Sequence, residues 1–258
     1  MHVLVAIDWH VLWLRIFHPD HAFARALWAT VYISIVSQVL GVLLGLLAAL
    51  LRMSRLRLLR LISGVYVWVF RGTPVLVQIM FFYFAIGLPN VAHFGLFSLP
   101  SEVMAGIMAL SINEGAYMRE IIRAGIDSID KGQVEAAKSL GMRSGLAMRR
   151  IILPQAARVI VPPLGNEFNN MMKTTSLVSV IGVYELFADA QQGYSQTFMS
   201  IYFVAVAFWY LVLTTGWTFI QANIERRLSA SERGEELTWR ERLQAAWNPV
   251  AAWTRGAR

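Results

Sequence analysis

Six polar residues lie inside long apolar stretches of this 258-residue chain: Asn113, Glu114 and Tyr117 in one stretch, Asn166, Glu167 and Asn170 in another. On a helix Asn113 and Tyr117 share a face at i, i+4, and Glu120 follows Tyr117 at i+3. Glu167 and Asn170 stand at i, i+3, and Thr174, Ser176 and Ser179 continue the polar character. Glu167 and Lys173 are six residues apart and point away from each other, so no intrahelical ion pair settles the Glu167 charge. If these stretches cross a bilayer, a charge at helix centre costs about 2.5–3.5 kcal/mol on insertion scales. Such residues must then face protein or water, and an acid placed there is a candidate binding group. The competing reading is a carboxylate bonded to a neighbouring helix or shielded at a subunit interface.

Other chemistries lack their residues. No G-x-x-x-x-G-K-[ST] occurs, since none of the three lysines follows a glycine, and neither HExxH nor GxSxG is present. With no cysteine, disulfides, thiolate metal sites and cysteine nucleophiles are excluded. The histidines are His2, His10, His18, His21 and His93, all outside the apolar segments. His18 and His21 flank Asp20 and could hold a metal, but a solvated segment accounts for them better, and no metal site is expected. Covalent catalysis is not expected, so the chain reads as no enzyme. A net charge of +7 raises nucleic acid as a partner. The arginines sit between and after apolar segments rather than in an aromatic-basic groove, which argues against it.

The elements that must position the polar residues are membrane segments. The composition is 57% hydrophobic, and Ala26 to Leu51 contains no charged residue over 26 positions, where roughly 20 suffice to cross a bilayer core. Five segments are expected: Arg25–Leu51; Leu59–Leu88, interrupted at Arg71-Gly72-Thr73-Pro74; Pro100–Ala124; Arg158–Phe187, which contains Pro162-Pro163; and Phe198–Ile224. The start of the chain has no basic region and no small-residue cleavage site, so a signal peptide is not expected. The basic residues divide sharply, with 19 of 23 lying between segments one and two, between three and four, or after five. The positive-inside rule then places the N-terminus outside and the C-terminus in the cytoplasm. This gives an interfacial N-terminal segment at 1–24, a membrane domain at 25–224 and a basic cytoplasmic tail at 225–258. Trp9, Trp13, Trp239, Leu243 and Trp247 suit headgroup depth. Gly41-x-x-x-Gly45 permits close helix approach, a weak signal in apolar sequence.

The polar stretch at about 125–157 has an unusual spacing: Glu135-Ala136-Ala137, three residues, Gly141, nine residues, then Ile151-x-Leu153-Pro154. Val134 to Leu140 can form a short helix that Gly141 ends, because glycine accepts positive φ. A second helix would run to Ile152 and stop at Pro154. Small Ala136 and Ala137 would allow close docking. Lys138, Arg143, Arg149 and Arg150 would suit acidic rims or lipid phosphates.

This spacing resembles the EAA loop of the membrane subunits of bacterial ABC importers. Arg71-Gly72-Thr73-Pro74-Val75-Leu76-Val77-Gln78, Gly115-Ala116-Tyr117-Met118-Arg119-Glu120-Ile121-Ile122-Arg123, Leu153-Pro154-Gln155-Ala156 and Lys173-Thr174-Thr175-Ser176-Leu177-Val178 resemble polar amino-acid permeases of the histidine, glutamine and arginine type. The resemblance spans Arg71 to Val180. It implies an all-α membrane protein with the type I ABC importer permease fold, about five transmembrane helices and a cytoplasmic coupling-helix loop, in the bacterial inner membrane. It further implies two ATPase subunits docked on the loops, a second permease, identical or homologous, and an extracytoplasmic amino-acid-binding protein. The partner ATPase would use ATP and Mg, and this chain would bind no cofactor. The implied pocket residues are Asn113, Tyr117, Asn166, Glu167 and Asn170; the coupling residues are Glu135, Ala136, Ala137, Gly141, Ile151, Leu153 and Pro154. Glu114 and Arg119 depart from the family pattern. Glu114 adds an acid beside the implied pocket, which suggests a cationic amino acid or a related cationic metabolite, although it could equally hold the α-ammonium group or Arg119. Rival readings are a permease for an amino-acid derivative such as an opine, a secondary transporter, and a non-transporting scaffold subunit.

Overall fold

The computed structural model describes residues 8–89, 91–94 and 97–233. The expected tail cluster Trp239, Leu243 and Trp247 lies outside them. In chain order the elements are α1 (Trp9–Phe17), α2 (His21–Met53), α3 (Arg57–Gly72), α4 (Val75–Ala85), β1 (Val91–Phe94), β2 (Phe97–Pro100), α5 (Ser101–Asp127), α6 (Lys131–Ser139), α7 (Ser144–Ala147), a π-helical turn (Met148–Ile152), α8 (Leu153–Thr174), a 3₁₀ segment (Thr175–Ile181), α9 (Leu186–Thr197) and α10 (Ile201–Arg233). The antiparallel pair β1–β2, with Val91 opposite Pro100, is the one departure from an all-helical chain among the described residues.

Segments one, three and five are found as α2, α5 and α10, each a few residues longer than expected. Segment two is broken where the sequence places its interruption: α3 and α4 meet at 105°. Pro74 pushes the residue before it out of the helical region, and Thr73 is extended at φ −119°, ψ 147°. The freed carbonyls are not orphaned. Gln78 Nε2 donates to Phe70 O at 2.9 Å and to Thr73 O at 3.1 Å, and Thr73 Oγ1 donates to Val69 O at 2.9 Å.

Two expectations are corrected. Segment four is not one span to Phe187: α8 tightens into 3₁₀ geometry at Thr175, and Gly182 at φ 93° ends it. Nor does Pro154 stop a helix. It lies at the junction of the π turn and α8, where Ile152 and Leu153 both keep right-handed helical backbone, so the helical run continues through it. By length and composition α2 and α10 can each cross a bilayer, and the bent α3–α4 pair makes a third candidate. The polar and charged residues that α5 and α8 carry separate these two from the purely apolar spans.

Helix α2 is the centre of the bundle. Its buried stripe is small or polar, with Thr30, Ser34, Gln38, Gly41, Gly45 and Ala48. Its opposite face presents Val39, Leu43, Leu47 and Leu50 to the exterior. Lipid tails are as apolar as leucine, so burial gains little inside a membrane and packing distance decides contact. The small stripe lets α2 approach α5 closely: a Cβ on Gly41 would stand 2.6 Å from Cγ of Glu114, and one on Gly45 would stand 2.9 Å from the Arg119 nitrogen.

Candidate functional site

Asn113, Glu114 and Tyr117 from α5 and Glu167, Asn170 and Lys173 from α8 line one cavity of about 480 Å³, closed on another side by Thr73 and Pro74 of the α3–α4 break. That volume suits a small ligand. Five of the six expected pocket residues therefore converge. Asn166 does not line this cavity. One position from Glu167 is a rotation of about 100° on a helix, and Asn166 accepts instead from Gln221 Nε2 of α10 at 3.1 Å. Gln221 also donates to Pro162 O at 3.2 Å, and Trp217 Nε1 donates to Gly165 O at 2.8 Å. Side chains of α10 thus bind the main chain around the Pro162-Pro163 pair.

Each wall residue is held differently. Asn113 donates both amide protons, to Phe70 O at 2.9 Å and to Gln78 Oε1 at 3.0 Å. It fixes the α3–α4 break to α5 and keeps only its carbonyl oxygen for a ligand. The ring of Tyr117 lies under the Arg71 guanidinium, 5.0 Å from the centroid. Asn170 hydrogen-bonds the Glu167 carboxylate, and Arg71 acts on the same group. Glu114 is 6% exposed and accepts one hydrogen bond, from Gln38 Nε2 at 3.0 Å. Arg119, which could have paired with Glu114, is engaged elsewhere: it forms an ion pair with Glu120, and its Nε donates to Ser63 Oγ at 3.2 Å. Both signs of charge therefore border the cavity, with Glu114, Glu167 and Lys173 in its wall and Arg71 nearby.

Gln38 and Ser63 were not singled out from sequence, and Gln78 entered only as the end of the Arg71–Gln78 motif. Gln38 carried a usable signal as the one side-chain amide in the uncharged stretch from Ala26 to Leu51. Gln78 closes the Arg71–Gln78 motif and bonds Phe70 and Thr73 close by as well as Asn113, whereas Ser63 carried no signal, its partners Ala48 and Arg119 lying 15 and 56 positions away. Asp20 caps α2 through Phe23 N at 2.7 Å, and no metal-ligating cluster occurs among the described residues.

The loop between α5 and α8 folds as a short helix, a turn and a second helix. The Asp130 carboxylate caps α6 at Gly132 N. At its end Gly141 N donates to Lys138 O at 2.9 Å and Met142 N to Ala137 O at 3.0 Å, with Gly141 at φ 74°. This paired pattern is a Schellman stop, which favours glycine at that position. Glu135, Ala136, Gly141, Leu153 and Pro154 are exposed and Ile151 is half-buried. Ala137 is 1% exposed. Its helix α6 packs against α7 and the π-helical turn of the same loop.

Residues 41–230 match the family described as binding-protein-dependent transport system inner membrane component. The chain is 39% identical over 236 residues to the arginine transport system permease protein ArgU of Corynebacterium glutamicum, covering 88% of this chain and 73% of that one. It is 41% identical over 225 residues to the L-cystine transport system permease protein TcyB of Bacillus subtilis, covering 86% and 92%. The solved structure of an amino acid ABC transporter with histidines superposes with a TM-score of 0.72 at 39% identity, over 80% of this chain and 94% of that one. A chain of the MetNI methionine ABC transporter shares the fold, with a TM-score of 0.66 at 19% identity over 80% and 96%. The shared fold, the matched span and these identities place the chain in the family of binding-protein-dependent transport system inner membrane components, as a multi-pass inner-membrane permease subunit of an ABC transporter.

Proposed function

We propose that this chain imports a polar amino acid by alternating access, and that the cavity between α5 and α8 is where the amino acid rests. The observation that carries this reading is the meeting of acidic, basic and amide groups in one cavity. An amino acid needs an acceptor for its ammonium and donors for its carboxylate, and Glu167 with Lys173 or Arg71 supplies both. The amino-acid permeases among the relatives support the solute class. Five crossings, with α5 and the α8 region counted as spans shielded by protein, put the N-terminus outside and the basic tail in the cytoplasm, in accord with the arginine distribution.

In this reading residues 25–224 form the membrane domain and the loop at about 125–157 couples it to the ATPase. Two ATPase subunits, which bind ATP and Mg, dock on the exposed residues Glu135, Ala136, Gly141, Leu153 and Pro154, with Ile151 at the edge. A second permease and an extracytoplasmic binding protein complete the complex. The chain does no covalent chemistry. ATP shifts the balance of two states only through the differential affinity of the ATPase dimer for them. The test is ATP-dependent uptake of a labelled amino-acid panel into vesicles holding the reconstituted complex. Uptake that stops with a hydrolysis-dead ATPase supports the reading. Intact assembly and hydrolysis without uptake of any amino acid refutes it and favours a scaffold role or a non-amino-acid solute.

A further inference from the structure

We infer that Glu114, positioned by Gln38, reads the side chain of the transported amino acid and selects a cationic one. This rests on the reading of the cavity as the amino acid's resting place. Glu114 is buried, lines the cavity, and takes its hydrogen bond from a neutral amide. No ion pair among the described residues includes it. Arg119 is held by Glu120 and Ser63, which removes the one intrachain cation the sequence offered it. A carboxylate taken out of water without a cation is unfavourable, and truncated or missing partners leave it so. A ligand cation completes it.

The other charged groups at the cavity are matched to what every amino acid carries. Glu167 serves an α-ammonium, and Lys173 and Arg71 serve an α-carboxylate; Lys173 and Arg71 are exposed and Glu167 half-buried. Glu114, more deeply buried, is left for the variable part of the ligand. Its position is fixed from two sides. Gly41 leaves no room under the stem, since a Cβ there would stand 2.6 Å from Cγ and 2.7 Å from Cβ of Glu114. Gln38, three positions earlier on the same face of α2, clamps one carboxylate oxygen. The Gln38 oxygen is buried without a partner among the described residues, so the amide keeps its donor on Glu114 at the expense of its own acceptor. Gln38 is thus a positioning residue rather than a ligand contact.

The test uses the purified permease–ATPase complex in nanodiscs without the binding protein, so that the permease alone sets the preference. Binding of L-arginine is compared with that of L-citrulline, which has nearly the same shape with a neutral urea in place of the guanidinium. A hydrogen bond to a charged partner in a buried site implies about tenfold or more in favour of arginine. Glu114→Gln brings the two affinities to within about twofold of each other, the charge-assisted contact being gone. Gln38→Leu narrows the ratio while leaving citrulline affinity in place, a selective change that general loss of packing does not produce. Gln38→Asn, shorter but still a donor, serves if the leucine variant fails to assemble. Equal binding of the two ligands by the unmodified complex, or a preference that survives Glu114→Gln, overturns this inference and leaves the cavity reading standing. Binding of neither ligand, nor of glutamine or lysine, overturns both.

Discussion

Gly45→Ala tests whether close approach of α2 and α5 holds this bundle together. The added Cβ would meet Cβ of Met118, and would stand 2.9 Å from the Arg119 nitrogen and 3.0 Å from the Gly115 oxygen. Unbonded heavy atoms settle at about 3.5–4.0 Å, so the helices must part by roughly 0.5–1 Å. Two of the three neighbours are main chain and the third is the first atom of a side chain, so no rotamer change relieves the contact. Overpacking of this kind costs about 1–3 kcal/mol. For a chain of this size a loss of 2 kcal/mol lowers the melting temperature by about 4–8 °C. The assay is thermal unfolding of the purified complex in detergent, followed by fluorescence or by loss of the monodisperse peak. Gly64→Ala on α3, where a Cβ meets nothing within 4 Å, is the control and should cause no loss. Combining Gly45→Ala with Met118→Ala should not rescue it, because the clash is with the Met118 Cβ and the main chain beside it. A Gly45→Ala complex that melts with the unmodified one would refute the claim that the helices touch at this distance.

Three further outcomes are expected. With no native cysteine, Ala136→Cys should crosslink to a cysteine placed in the ATPase, while Ala137→Cys, buried within the loop, should not; equal crosslinking would refute the orientation of that helix. Gly141→Val forces a β-branched residue to φ 74° and should cost about 1–2 kcal/mol locally, reducing ATPase retention on co-purification, with Gly141→Asn milder. Tyr210→Phe removes the hydroxyl that donates to the fully buried Glu185 carboxylate at 2.9 Å, and should cost about 1.5–3 kcal/mol; an unchanged melting temperature would show that water replaces it.

The sequence by itself determined the apolar spans and their order, because a run without charge such as Ala26–Leu51 has few alternatives to crossing a bilayer. It also located the break at Arg71–Pro74, since proline constrains its own backbone and that of the residue before it, and the turn at Gly141, where a positive φ selects glycine. The acids and amides of the site were legible because polar groups in apolar sequence need a reason. What satisfies them was not. The tertiary structure decided that Asn113 closes the helix break, that Arg119 belongs to Glu120 and Ser63 and not to Glu114, and that Asn166 faces α10 while its neighbour Glu167 faces the cavity. It also buried Ala137 within its own loop and carried the helical run through Pro154 without a stop. These outcomes share one cause. Backbone preferences act within a few residues, whereas the partners of Asn113 and Glu114 lie 43 and 76 positions away, and only packing brings them within hydrogen-bond reach.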